Sequence, residues 1–156
     1  MVDLELLKRF DKSKWFKSVD ELDEFLYIIS LIGETDDPEY LPYLFSCISD
    51  KPRYQGVHYW LSLVIMGYAP EDLIMHLLLT IKDYYSKIPI YVCELFMRFL
   101  DIPEYLQILK NNICITDKKT LLRILNDIKN FFIVQSIFLV NLFHIFYIRS
   151  QLISRI

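Results

Sequence analysis

Asp37-Pro38-Glu39-Tyr40-Leu41-Pro42-Tyr43-Leu44 decides the fold, because the chain repeats its pattern twice. Ala69-Pro70-Glu71-Asp72-Leu73 follows 32 residues later, and Ile102-Pro103-Glu104-Tyr105-Leu106-Gln107-Ile108-Leu109 follows 33 residues after that. In each copy a proline-glutamate pair precedes a leucine (Leu41, Leu73, Leu106), and a further leucine comes about one turn later (Leu44, Leu77, Leu109). Proline at the first helical position gives up only an amide that would lack a helical partner anyway, and the acid beside it faces the positive end of the helix dipole. A helix start that recurs at this interval is the signature of stacked helical repeats.

Working outward, each proline-glutamate helix follows a more apolar one. Ser18-Val19-Asp20-Glu21 reads as a capping box, with the serine accepting from the third amide and Glu21 reaching back. The helix it opens is expected to bury Leu22, Phe25, Leu26, Ile29 and Ile32, and to end at Gly33. Asp37 is the expected cap of a helix running to about Ser49. Lys51-Pro52-Arg53 then links to an apolar helix from Val57 to Met66, centred on Trp60 and ended by Gly67. A second proline-glutamate helix is expected over 70–85, followed by a helix from Pro89 that buries Val92, Leu95, Phe96 and Phe99. The third is expected over 103–112, and Thr116 or Asp117 caps one more helix. At the front, Leu4, Leu7 and Phe10 give a short helix, broken at Lys12-Ser13-Lys14, with Trp15-Phe16 inserting back into the core. The expected fold is all-α: a short α-solenoid of antiparallel, HEAT-like helix pairs over residues 1–130, with an apolar C-terminal helix over 131–156. Tetratricopeptide repeats share the period, but their tryptophan, glycine and alanine pattern is absent from this sequence.

That C-terminal stretch reads FFIVQSIFLVNLFHIFYI from Phe131 to Ile148, eighteen residues without a charge. As a helix it would extend about 27 Å, against a bilayer core of about 30 Å. Three readings stay open. It packs as a last helix on the domain or on a second copy of the chain, it anchors the chain in a membrane, or it is not native to the domain. Asn141 and His144 would be costly inside a bilayer.

The sequence offers little for catalysis. His58, His76 and His144 stand singly in apolar helices, without the three or four convergent ligands a metal needs. Cys47, Cys93 and Cys114 are odd in number and scattered among apolar residues, which reads as buried thiols in a reducing compartment, the cytoplasm. Three glycines in 156 residues leave no phosphate-cradling loop. No enzymatic activity, cofactor or metal is therefore expected.

Charge is the informative feature. Residues 18–50 hold nine acids and no lysine or arginine, within a net charge of -3 for the whole chain. That field excludes a nucleic-acid binder, which needs a basic stripe, and suits a basic partner. Acids favour helix starts and solvated faces in any case, but such faces ordinarily mix both signs. Asp20, Glu24, Asp36, Asp37 and Glu39 are the expected electrostatic contacts. Tyr40 and Tyr43, interleaved with them, are either interface anchors or half-buried core.

With the repeats placed, the span from about Glu21 to Asn130 resembles the all-helical, HEAT-like immunity proteins of bacterial polymorphic-toxin and contact-dependent inhibition systems. The resemblance rests on Asp37-Pro38-Glu39-Tyr40-Leu41-Pro42-Tyr43-Leu44 ahead of a tryptophan-bearing helix (His58-Tyr59-Trp60-Leu61), and on the later Leu122-Arg123-Ile124-Leu125-Asn126. The apolar end departs from that family's pattern. What the resemblance implies is a small cytoplasmic protein that binds and neutralises a toxin domain, basic and nuclease-like, without catalytic residues of its own. The alternative expectation is a membrane-anchored helical scaffold whose C-terminal segment spans the bilayer.

Overall fold

The structure is a computed structural model that describes residues 3–52 and 54–135, with side chains as far as residue 130. It is all-helical, and no strand occurs among the described residues. Among the described residues eight α-helices run in order: α1 (Leu4–Ser13), α2 (Val19–Thr35), α3 (Leu41–Ser46), α4 (Gln55–Met66), α5 (Pro70–Lys87), α6 (Pro89–Asp101), α7 (Pro103–Asn112) and α8 (Lys118–Gln135). Short 3-10 turns cover Pro38–Tyr40 and Ile113–Ile115. The chain divides into two compact units between Leu73 and Ile74, inside the first turn of α5.

The repeated leucines behave as their pattern requires. Leu41, Leu44, Leu73, Leu77, Leu106 and Leu109 are all buried. The second and third proline-glutamate helices begin at Pro70 and Pro103, as expected. The first does not run to Ser49. It opens as a 3-10 turn and ends as a short α-helix at Ser46. Pro42 accounts for the 3-10 opening: it has no amide to offer the Pro38 carbonyl in α register, and the Leu41 amide takes that carbonyl with 3-10 spacing instead.

In the first unit α2 packs against α1 and α4, and α3 against α4. Its core holds Phe10, Phe25, Ile28, Ile29, Ile32, Phe45, Leu61 and Ile65, with the Phe10 and Phe25 rings 5.6 Å apart. In the second unit α6 packs against α7 and α8. Val92, Leu95, Phe96 and Phe99 are buried as expected, and the Phe99 ring stacks on Tyr105 at 5.3 Å. Thr116 precedes α8, and its Oγ1 donates to the Leu78 carbonyl. Asp117 is the cap, its carboxylate accepting from the Thr120 amide. The Thr120 hydroxyl, with that amide, holds the Asp117 carboxyl below the usual carboxylate range.

Several expectations at the N-terminal end change. Helix α1 continues through Ser13, whose hydroxyl donates to the Arg9 carbonyl inside the helix. The Trp15-Phe16 pair does not enter the core together. Phe16 takes a left-handed backbone (φ 24°), and its ring packs between Phe25 and Tyr54, while Trp15 is 68% exposed. Ser18 caps α2 by accepting from the Glu21 amide, but Glu21 reaches back to the Lys17 amide, one residue earlier than a capping box requires. Gly33 does not end α2, which continues to Thr35 and closes on Asp36 at φ 50°. Gly33 serves a close helix approach instead, since a Cβ there would lie 3.0 Å from Val64 Cγ1. Gly67 does end α4, with an ordinary right-handed backbone.

Helix α8 crosses residue 130 without a break and reaches Gln135. Residues 136–156 of the apolar segment lie outside the described residues. Among the described residues no single helix is long and apolar enough to cross a membrane.

Candidate partner-binding surface

Helix α2 sets the geometry of the acidic block. Asp20 and Glu24 lie in its first turns, and Asp36, Asp37 and Glu39 follow its C-terminal end. Glu24 and Asp36 are twelve positions apart, about 18 Å at the usual helical rise, so the expected contacts form two rims. Asp20, Asp36 and Glu39 are exposed. Glu24 is committed internally, because Arg9 of α1 meets its carboxylate at 2.7 Å. The same guanidinium lies 5.8 Å from the centre of the Tyr27 ring. Asp37 caps the 3-10 turn, and accepting from the Glu39 amide holds its carboxyl below the usual carboxylate range.

The two tyrosines part company. Tyr43 is half-buried, but Tyr40 is 2% exposed and belongs to the core. Its hydroxyl accepts from the Asp3 amide at 2.7 Å. Tyr40 lies on the same inward face as Leu41 and Leu44, which removes it from the expected surface anchors. Beside it Tyr68 is also buried, and its hydroxyl has no hydrogen-bond partner. Burial, with the charges of Asp36 and Asp37 nearby, pushes that phenol upward.

The apolar part of this surface is not visible in the sequence. Leu22 and Leu26, expected in the core, instead line a groove of about 670 Å³ between α2 and α4, together with Tyr27, Ser30, Tyr54, Val57 and Trp60. The inward stripe of α2 runs through Phe25, Ile28, Ile29 and Ile32, which turns Leu22 and Leu26 toward the groove. Tyr27, Tyr54 and Trp60 are 54%, 41% and 42% exposed. A strongly apolar helix centred on a tryptophan looks like core in sequence, and only the packing of α4 against α2 and α3 shows that Tyr59, Trp60 and Leu63 face out.

On the other side of Tyr54 and Val57 is a second concavity of about 380 Å³, lined by Trp15, Phe16, Cys47, His58 and Leu61 among others. Burial pushes the Cys47 thiol up to about 11, partly offset by its contact with the Ser46 hydroxyl. It therefore stays protonated at neutral pH, the inert state for a thiol. No cluster of three or more His, Cys, Asp or Glu side chains able to hold a metal occurs among the described residues.

Compared with known proteins, the chain matches no family model, no curated protein and no solved structure. The functional reading therefore stands on the surface itself. From Ser18 to Ile81 the sequence holds eleven acids against two bases, Lys51 and Arg53.

Proposed function

We propose that this chain is a protein-binding module: a short α-solenoid of HEAT-like helix pairs that acts as an immunity protein, neutralising a cognate bacterial toxin domain by one-to-one binding. The observation that carries it is the one-signed charge of residues 18–50, which hold nine acids and no lysine or arginine. Asp20, Asp23, Glu34, Asp36 and Glu39 are exposed on a stretch almost without bases, beside exposed tyrosine and tryptophan. A surface of that composition attracts a basic protein over long range and holds it at short range. The proposed partner is a basic, nuclease-like toxin domain, the proposed compartment is the cytoplasm, and the chain itself supplies no catalytic step.

The test is co-purification of the tagged chain with the C-terminal domain of a toxin encoded beside it. A one-to-one complex that weakens with salt supports the reading. Absence of a complex with that domain, with the toxin still active in cells that make this chain, overturns it.

A second reading draws on the uncharged residues 131–148: a membrane-anchored helical scaffold or adaptor. Fractionating cells that express the full chain separates the two, because the anchor reading requires the chain to stay with membranes through carbonate washing.

A further inference from the structure

We propose that the groove between α2 and α4 is the seat for an amphipathic helix of the partner protein, one with leucine-like side chains on its buried face and lysine or arginine along its edges. The inference rests on the protein-binding reading above and names where, and by what chemistry, the partner is held.

Shape comes first. The close approach of Gly33 to Val64 clamps α2 and α4 together toward their C-terminal ends. At the other end the helices leave the open groove, and Gly56 of α4 has nothing within 4 Å of the position a Cβ would take. The α2 wall runs from Leu22 to Ser30, about 12 Å at the helical rise, which matches two to three turns of a partner helix. Helix-in-groove recognition needs apolar side chains to receive anchors at helical spacing. Leu22, Leu26 and Val57 provide the floor, and Tyr27, Tyr54 and Trp60 the walls. Tyrosine and tryptophan are the side chains on which binding energy concentrates.

Charge selects the occupant. Helix α2 carries five acids and no base, and α4 carries no charged residue. Asp23 lies one turn before Tyr27, and Glu34 one turn after Ser30, so exposed carboxylates stand at both ends of the α2 wall. Arg9, the cation that touches Tyr27, is already neutralised by Glu24. A second copy of the chain would bring an acidic α2 edge against another and be repelled. A helix with basic edges meets no such cost.

The probe is a fluorescein-labelled, 18-residue leucine–lysine peptide of amphipathic helical pattern, titrated with the full chain and followed by anisotropy. A serine–lysine peptide of equal charge and a leucine–glutamate peptide serve as controls. The expected result is saturable one-to-one binding of the leucine–lysine peptide alone. That binding should weaken at least tenfold in Tyr27→Ala/Trp60→Ala and several-fold in Asp23→Asn/Glu34→Gln, with helical circular dichroism unchanged. Equal binding by the aromatic double variant, equal binding of the serine–lysine peptide, no binding at all, or a dimer of the chain that dissolves in the double variant would each overturn the proposal. The two readings fail separately. A toxin complex indifferent to the aromatic double variant removes the groove alone, and groove-dependent peptide binding without any toxin complex removes the immunity reading alone.

Discussion

Gly33 of α2 and Val64 of α4 meet so closely that a single added carbon would lie 3.0 Å from the valine Cγ1. Val64 is β-branched and held in a helix, so its side chain has little freedom to turn away. Gly33→Ala is expected to lower the melting temperature even though alanine is the better helix former by about 1 kcal/mol. In a double-mutant cycle, Val64→Ala should relieve the substitution, with a coupling of about 1 kcal/mol. A Gly33→Ala protein more stable than the wild type would show that the helices separate at no cost.

Tyr40 and Tyr68 are neighbouring buried phenols with opposite expectations. Tyr40→Phe removes the acceptor of the Asp3 amide and should cost about 1 kcal/mol in urea or thermal unfolding. Tyr68→Phe removes a buried hydroxyl that has no partner, and should be neutral or stabilising by up to about 1 kcal/mol. Tyr40→Phe should also leave partner association unchanged, because the ring is not at the surface.

Arg9 and Glu24 are each about two-fifths exposed, at 40% and 41% of their side-chain surface, so solvent screens their attraction. Arg9→Ala should cost at most about 1 kcal/mol, including its contact with Tyr27, and the loss should shrink in high salt. The same variant uncovers Glu24 and should speed association with a basic partner, as stopped-flow kinetics would show.

His76 predicts the pH dependence of the second unit. Burial depresses its pKa below 6.5, and its Nε2 lies 2.9 Å from the Tyr84 hydroxyl. The unfolded chain therefore binds the proton more readily than the folded one, so stability falls as pH drops below about 6.5 and levels off once the folded imidazole also protonates. His76→Gln should flatten that part of the stability profile, measured by urea unfolding between pH 7.5 and 5.

Thiol labelling should separate the cysteines by burial. None of the three is fully buried as the sequence predicts: Cys47 and Cys93 are half-buried, and Cys114 is exposed and should react with iodoacetamide first. Cys47 is part-buried, with its thiol pushed up to about 11, and should react at a rate limited by opening of the first unit. Mass spectrometry of partly labelled protein gives the order directly.

What was legible in the sequence was local. Pro70, Pro89 and Pro103 open helices because proline's missing amide and the following turn are properties of neighbouring residues. The repeated leucines are buried because their spacing keeps them on one face. In the first copy a second proline, Pro42, converts the opening to 3-10 geometry, which is also a property of neighbouring residues. Gly33 reads as a terminator because its real reason, Val64, lies 31 residues away. The pairing of Arg9 with Glu24 is equally non-local. Leu22 and Leu26 read as core because periodicity reports that a face is apolar and not what covers it. The acidic rims were readable as composition, whereas the groove between them was not.

Trp15 and Trp60 are the chain's two tryptophans, and both belong to the first unit. Indole emission is thus a one-sided witness to unfolding, while far-ultraviolet circular dichroism samples helices of both units. Superimposable denaturation curves from the two signals would mean that the units melt as one cooperative block. An early emission change would mean that the surface proposed to bind can loosen while α6, α7 and α8 remain folded.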